Sequence, residues 1–184
     1  YQDLPRTAGW GYPEPYTRDL LISSLGVLAS GEKELIQSLE KVLENLAKNQ
    51  SPHGLIPSLV HDSNELEVSD TTPLFLLTLK LFQNYTGKDN FLDEAAQKAC
   101  TYMEYQSPID KIIVGQLPTS DWRDEQRVFG YGLYVNSLVY LYLKLWKKNN
   151  DSKVLNELIH RRLSVEGKPH FALSAYKKVF KNER

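Results

Sequence analysis

Three separate stretches of the chain carry carboxylates, and two of them place aromatic rings and arginines beside these groups. Aromatic rings stack on the apolar faces of pyranose sugars, while carboxylates bind hydroxyl groups and transfer protons. These residue types therefore indicate sugar binding and the chemistry of a glycosidic bond. The candidate residues are Trp10, Tyr16, Arg18 and Asp19, then His53 and Asp70, then Asp121, Trp122, Arg123, Asp124, Glu125 and Arg127.

Each of these carboxylates also has a purely structural interpretation. Asp19 is equally consistent with an acid in the first turn of a helix, where it interacts favourably with the helix dipole. Asp70 is equally consistent with a helix N-cap. A solvated cluster of ion pairs would account for the third stretch without any chemistry, and its members would be Asp121, Asp124, Glu125, Arg123 and Arg127. The recurrence of carboxylates in three stretches favours the chemical interpretation.

Other kinds of site lack the residue patterns that they need. The 4 histidines show no H-x3-H or HExxH spacing, so no metal site is expected. The single cysteine, Cys100, cannot form an internal disulfide, and its place on the apolar face of a helix predicts a small core residue. No phosphate-binding or dinucleotide-binding glycine motif occurs, and no cofactor is expected.

Charge and hydropathy argue against two classes of partner. With 22 Lys+Arg against 23 Asp+Glu, the net charge of −1 does not suit a nucleic-acid-binding surface. No apolar run reaches about 18 residues, so no membrane-spanning helix is expected. The amino-terminal stretch also lacks the charged and apolar regions of a signal peptide, which predicts a cytoplasmic protein.

The hydrophobic pattern is helical along almost the whole chain and alternates between two kinds of helix. The first kind is apolar on most sides, which is typical of burial on most faces, and it is predicted at residues 20–28, 73–82 and 133–146. The second kind is amphipathic and is predicted at residues 35–46, 91–103 and 154–163. A last amphipathic helix is predicted over 169–180, and residues 111–114 are predicted to form a short strand or an extended loop segment.

The links between these helices alternate in length. A short link follows each buried helix, whereas a link of roughly 20–25 residues, long enough to be functional, precedes the second and third buried helices. In antiparallel hairpins, the long links and the amino-terminal ends of the buried helices lie on one face. The predicted fold class is all-α, with about three helical hairpins in a solenoid or a partial toroid, and inner helices that are apolar nearly all round favour the toroid.

Five runs of sequence carry a resemblance to known proteins, namely PYTRDLLIS at 15–23, HGLIPS at 53–58, SDTTPLFLL at 69–77, TSDWRDE at 119–125 and YGLYVNSLVYLYLKL at 131–145. They resemble the six-hairpin glycosidases, most closely the bacterial amylo-α-1,6-glucosidase (glycogen-debranching) proteins and the neutral/alkaline invertases. The resemblance implies an (α/α)6 toroid that hydrolyses α-glucosidic bonds of an oligosaccharide or a disaccharide with inversion. It covers most of the chain in order and spacing.

The resemblance implies roles for individual residues. Asp19 would bind hydroxyls of the sugar at the cleavage subsite, Arg18 would fix its loop, and Asp70 would line the pocket. The family has a Trp-x-Asp motif whose aspartate is the general acid, and this motif matches Trp122-Arg123-Asp124. Asp124 is therefore the first choice for the acid. Asp121 is the rival, because related motifs shift by a residue or more within these families.

The second carboxylate that inversion requires has no counterpart at the matching place. In these families the base lies far along the chain, and the later glutamates Glu157, Glu166 and Glu183 come too early. The resemblance therefore predicts that residues 1–184 form a single unit that is about half of a six-hairpin domain and is inactive alone. The first residue, Tyr rather than Met, agrees with this expectation. The remaining half of the toroid, or a second copy of the chain, would complete the ring.

Two other interpretations stay open. The chain is also consistent with a non-catalytic carbohydrate-binding helical module, and with an α-solenoid that binds a protein partner. A sugar-induced shift of the melting temperature would separate the first of these from the second.

Overall fold

The computed structural model of the chain describes most of its first 146 residues. Described are residues 4–8, 11–64, 68–107, 112–123, 127 and 129–146, together with 153, 156, 164, 165, 168 and 169. The chain divides into two compact units, Tyr1–Tyr102 and Met103–Arg184, and each unit is described by itself. This division does not test whether residues 1–184 are part of a larger ring, which stays a prediction.

The described chain is helical, as the sequence predicts. The helices are α1 (Thr17–Ser30), α2 (Lys33–Lys48), α3 (Thr71–Thr86), α4 (Asp93–Tyr105) and α5 (Leu133–Leu145). Two strands of two residues each, β1 (Ser164–Val165) and β2 (Lys168–Pro169), pair in antiparallel fashion, with Ser164 opposite Pro169. The all-α class is therefore confirmed for the described residues, and the toroid stays a prediction.

Helices α1 and α2 form a hairpin with a very short turn. Gly31 lies in the left-handed region at φ 70°, a conformation that costs glycine little, and it ends α1 two residues before α2 begins. Helix α2 is amphipathic, as predicted, and its buried residues Leu39, Val42, Leu43 and Leu46 follow the helical period. The long link over residues 49–70 then leads to α3.

Helix α3 is the most deeply buried helix of the first unit. It begins at Thr71, with Pro73 in its first turn, where the missing N–H has no helical partner to lose. Gly87 ends it in the left-handed region at φ 72°. The buried apolar side chains lie on several sides of the helix, as the sequence predicts, and they are Leu74, Phe75, Leu76, Leu79 and Phe82.

Helix α1 differs from the prediction of burial on most faces. Only one stripe is buried, formed by Thr17, Leu21, Ser24 and Leu28, and α1 packs against α2 and α3. Ile22 and Leu25 lie beside this stripe and are 47% and 54% exposed. The apolar run LLISSLGVL therefore supplies a single buried face and an exposed apolar flank, so that the prediction for residues 20–28 is wrong in its burial.

Helix α4 begins later than the sequence suggests. The predicted start at Asp89–Asn90 is a turn, in which the N–H of Phe91 donates to the oxygen of Lys88 at 3.1 Å. Leu92 follows in the left-handed region at φ 59°, which interrupts the helical backbone before Asp93. The predicted apolar face is otherwise confirmed, with Ala95, Ala96, Ala99 and Met103 buried. Cys100, expected in the core, is half-buried.

The amino-terminal ends of α1 and α3 lie together in the first unit. The N–H of Thr17 donates to the oxygen of Ser58 at 2.8 Å, and the N–H of Val60 donates to the oxygen of Pro15 at 3.0 Å. The link that precedes α3 is thereby paired with the segment that precedes α1. Thr71 anchors the same link, because its hydroxyl donates to the oxygen of Ile56 at 2.6 Å.

In the second unit, a buried side-chain amide of α5 binds the chain that precedes this helix. The Asn136 side chain accepts from the N–H of Val114 at 2.8 Å and donates to the oxygen of the same residue at 3.0 Å. The described part of residues 111–114 is irregular rather than a strand, and Ile113 and Val114 are buried. This part of the segment is therefore a loop whose backbone bonds to a side chain of α5.

The carboxyl-terminal predictions are only partly covered by described residues. Lys153 and Asn156 are helical, in agreement with a helix at this point, and the rest of 151–163 lies outside the described residues. Pro169, predicted to start a last helix, instead pairs in β2. The remainder of that predicted helix, residues 170–180, also lies outside the described residues.

We predict that Gly54→Ala destabilises the first unit strongly, whereas Gly26→Ala stabilises it. A Cβ at Gly54 would lie 2.1 Å from the backbone oxygen of Lys98, and φ at this position is +99°. We expect the free energy of unfolding to fall by about 2–5 kcal/mol. Gly26 is exposed in the interior of α1 with nothing within 4 Å of the added atom, and alanine there should add about 0.5–1 kcal/mol. Urea unfolding of both variants checks this, and equal effects would contradict it.

Candidate functional site

The amino-terminal ends of α1 and α3 are joined by an ion pair. Nε of Arg18, in the first turn of α1, donates to Oδ2 of Asp70 at 2.5 Å. The Asp70 side chain is completely buried, while that of Arg18 keeps 19% of its surface exposed. A buried carboxylate must be paired with a cation or it becomes very costly, so this contact is a strong constraint on both helices.

Asp70 occupies the N-cap position of α3, as the structural interpretation of the sequence proposed, but it does not cap the helix with its side chain. Its backbone oxygen accepts the first helical bond, from the N–H of Leu74 at 3.1 Å. Its carboxylate is bound by Arg18 instead. The backbone of Asp70 therefore begins the helix, while its carboxylate forms the ion pair with Arg18.

The other candidates of the first unit lie at different places. Asp19 is exposed in the first turn of α1, which is the position that a dipole-stabilising acid takes. Tyr16 is the N-cap residue of the same helix and is exposed. His53 is exposed in the turn that begins at Ser51, next to Gly54, which lies against α4. His53 is thus placed on a turn that packs on α4.

A further polar contact, which was not predicted from the sequence, lies beside the first residue of α1. Nε2 of His61 is 3.2 Å from Oε2 of Glu14, and both side chains are partly buried. The contact joins the two segments whose backbones pair through Pro15 and Val60. It ties the chain before α1 to the link before α3.

In the second unit, Asp121 is the best-held carboxylate. Its Oδ1 accepts from the backbone N–H of Arg123 at 3.0 Å and from Nε of Arg123 at 2.9 Å. Its Oδ2 accepts from Nη2 of Arg123 and, at 2.8 Å, from Nε2 of Gln116. The predicted pairing of Asp121 with Arg123 is therefore present, but the pair is buried rather than solvated, since Asp121 is only 1% exposed.

The surroundings of Asp121 lower the pKa of its carboxyl group below the ordinary value of 3.8. Burial acts in the opposite direction and is the largest single influence, but the side-chain hydrogen bonds from Arg123 and Gln116, the backbone hydrogen bond and the charge of Arg123 together outweigh it. Asp121 is therefore ionised at neutral pH. A general acid needs a raised pKa, so this environment suits an acceptor of hydrogen bonds better than a proton donor.

An exposed aromatic ring follows Asp121 directly. Trp122 is 57% exposed, and the guanidinium carbon of Arg123 lies 5.9 Å from the centre of its ring. Leu117 and Phe129, which lie in the same loop, are exposed as well. We call residues 117–129 the Asp121 loop. Its base is closed by the backbone pairing of Gln116 with Gly130, with N–O distances of 2.9 and 3.2 Å.

Backbone strain accompanies this exposed surface. Thr119 lies in the left-handed region at φ 59°, which is unfavourable for a β-branched residue. The hydroxyl of the next residue, Ser120, donates to the oxygen of Leu117 at 2.6 Å and keeps the turn closed. Strained backbone that is held by its neighbours is common in functional loops.

The residues that hold the Asp121 loop were not found from the sequence, although one of them carried a signal. Asn136 is fully buried in the apolar run of α5, and a lone amide in such a run must find hydrogen-bond partners. Its partners are Val114 and Gly132, which flank the loop. Gln116 carried no comparable signal, because a glutamine between turn residues is usually on the surface.

Several candidates are not brought into either group. Arg127 is exposed in the Asp121 loop. Trp10, Asp124 and Glu125 lie outside the described residues, so the preferred proton donor has no described surroundings. Within the described part of the chain, no three His, Cys, Asp or Glu residues are grouped as metal ligands would be. Among the same residues, no helix is long and apolar enough to cross a membrane.

Comparisons with other proteins do not assign the chain to a family. No protein-family model matches the sequence, and no curated protein is similar to it. The resemblance to the six-hairpin glycosidases therefore stays a prediction made from the residues.

We predict that Arg18→Met lowers the free energy of unfolding by about 3–5 kcal/mol, because it leaves the Asp70 carboxylate buried without its cation. Asp70→Asn should cost less, since Arg18 is partly exposed and can reach water. The double variant Arg18→Met/Asp70→Asn should cost less than the sum of the two changes. Chemical unfolding of the three variants measures the coupling.

The matched control for that pair is Lys98→Met. Lys98 pairs with Glu94 at 2.9 Å, but both side chains are at least half exposed. A surface pair of this kind contributes about 0–1 kcal/mol. Strict additivity of the Arg18 and Asp70 changes would show that the pair does not couple the two helices.

We predict that Asp121 makes the protein less stable in acid. Because its pKa is lowered in the folded state, its stabilising contribution is complete above the ordinary value of 3.8 and is lost as the pH falls through the lower folded pKa. Asp121→Asn should therefore flatten the decline of the unfolding free energy below about pH 4. Glu44→Gln, which removes an exposed carboxylate of α2, corrects for the loss of one charge. If the unfolding free energies of the wild type and Asp121→Asn fell equally with decreasing pH, the prediction would be contradicted.

Proposed function

We propose that this chain belongs to an inverting glycoside hydrolase that acts on α-glucosidic bonds, of the debranching or the invertase-like type. Its ligand is an oligosaccharide or a disaccharide. The observation that carries the proposal is the exposed ring of Trp122 directly after a buried, ionised aspartate, within the run that resembles the Trp-x-Asp motif of those enzymes. Because a sugar has both apolar C–H surface and hydroxyl groups, an exposed ring beside fixed polar groups suits its binding.

The contacts of Asp121 support a division of roles within this motif. Asp121 is locked by Arg123 and Gln116 and keeps its negative charge. A carboxylate in that state does not donate a proton at neutral pH, and its burial suits a role in holding the neighbouring residues. Asp124 is then the proton donor, and Asp121 fixes Arg123, the residue that precedes Asp124. The first unit has a buried polar pair of its own, formed by Arg18 and Asp70.

The chemistry assigned to Asp124 is protonation of the leaving oxygen. A departing alkoxide is a poor leaving group, and a carboxylic acid that gives up its proton as the bond breaks removes this difficulty. The water that attacks the sugar from the opposite side needs a second carboxylate as base. We propose that this base is not among residues 1–184.

We predict that Asp124→Asn strongly slows hydrolysis while the fold persists. In the full-length gene product, release of glucose from isomaltose, maltotriose and sucrose should identify the substrate, and NMR of the fresh product should show the inverted anomer. Loss of the general acid should lower kcat by about 10²–10⁴-fold. Unchanged far-UV circular dichroism and melting temperature would show that the variant is folded.

The control for this experiment is Asp89→Asn, which removes an exposed carboxylate from the turn between α3 and α4. It should leave kcat unchanged. Full activity of Asp124→Asn would exclude Asp124 as the acid. Sugar binding by the wild type without any hydrolysis would favour the non-catalytic carbohydrate-binding module instead, and a lack of both would favour the protein-binding solenoid.

A further inference from the structure

A close contact at the start of α5 links Asp121 to a glycine that lies outside its loop. Gly132 is the N-cap residue of α5, and a Cβ built there would lie 2.0 Å from Oε1 and 3.0 Å from Cδ of Gln116. Gln116 is the residue that donates to Asp121 from the other end of the same amide. The side-chain amide of Gln116 therefore lies between Gly132 and the Asp121 carboxylate.

The backbone of Gly132 does not itself require glycine. Its φ of −77° and ψ of 140° are extended values that any residue adopts. What glycine provides at this position is space. The atom that a methyl group would strike is the far end of a flexible side chain rather than backbone, so that an alanine could be accommodated if the Gln116 amide moved away.

Gln116 is otherwise firmly placed. Its side chain is buried, and its backbone pairs in both directions with Gly130. Since the backbone is fixed on both sides, a displaced amide cannot follow Asp121 by a shift of the chain. Displacement would therefore break the 2.8 Å hydrogen bond to Oδ2.

We propose that Gln116 is a positioning residue for Asp121, and that the missing side chain of Gly132 provides the space in which its amide lies. The device fixes the orientation of the Asp121 carboxylate and, through it, that of Arg123 and the Asp121 loop. Where the sugar ligand is concerned, this inference rests on the function proposed above. The hydrogen bond itself is independent of that function.

The experiment compares Gly132→Ala with Gly115→Ala. Both add one methyl group next to Gln116, but a Cβ at Gly115 makes only ordinary contacts at 3.9 Å. The titration of the Asp121 carboxyl carbon is followed by NMR in both variants. Gly132→Ala should raise the pKa of Asp121, because the carboxylate loses a donor, whereas Gly115→Ala should leave the titration curve unchanged. A merely structural role of Gly132 would change the melting temperature without moving the titration curve.

Gln116→Met supplies the second variant, which removes the amide at similar length. It should raise the pKa of Asp121 in the same direction as Gly132→Ala. Affinity for maltotriose should fall about tenfold in both variants, because the ligand would have to order a loop that has lost a hydrogen bond to a charged group. A wild-type titration curve in either folded variant would overturn the proposal.

The two proposals fail in different ways. If the wild-type protein does not bind maltotriose, the proposed function is wrong, and the titration still tests the role of Gln116. If the pKa of Asp121 rises in both variants while maltotriose affinity is unchanged, Gln116 holds Asp121 but the sugar does not depend on it, and its place in the proposed site is overturned.

Discussion

Burial of a negative charge is the constraint on which the first unit depends. Asp70 has no exposed surface, and Arg18 reaches it from the first turn of another helix. An unpaired carboxylate in such a place would cost several kcal/mol or would lose its charge. The relative position of α1 and α3 is therefore set at one end by an ion pair. The Ser24 and Thr78 hydroxyls, 3.2 Å apart, set it further along the interface.

The second unit meets the same constraint by local means. Arg123 is two residues from Asp121 and binds it through both its backbone and its side chain, in the manner of an Asx-turn. A local pair of this kind fixes the shape of a loop rather than the packing of two helices. It leaves Trp122 between its two members and exposed, so the ring is held by its neighbours without being covered.

Much of the architecture followed from hydrophobic periodicity. The five helices that the described residues form, the burial of α3 and the alternation of short and long links all follow from hydrophobic spacing that is local along the chain. The burial of α1 did not follow, because Ile22 and Leu25 are as apolar as Leu21, and composition cannot say which side of a helix finds a partner. Similarly, Pro169 is compatible with a first helical turn and with a strand end, and it takes the second.

The candidate site was predictable in its residue types but not in its pairings. Asp121 with Arg123 was among the ion pairs expected, since the two are neighbours in the sequence. The partner of Asp70 is 52 positions away, and no local pattern selects Arg18 for it. Gln116 and Gly132 could not be found at all, because their relation is one of shape: one side chain occupies the volume that the other residue leaves empty.

The distance of Arg18 from Asp70 along the chain has a consequence for the order of assembly. During synthesis at about 5–20 residues per second, α1 and α2 are complete seconds before Asp70 leaves the ribosome. Until then Arg18 has no Asp70 to pair with, and α3 is not there to cover the stripe from Thr17 to Leu28. The first unit can close only when α3 has been made, because α3 carries the buried apolar side chains and begins directly after Asp70. The contact between Arg18 and Asp70 can therefore form only after most of the first unit has been synthesised.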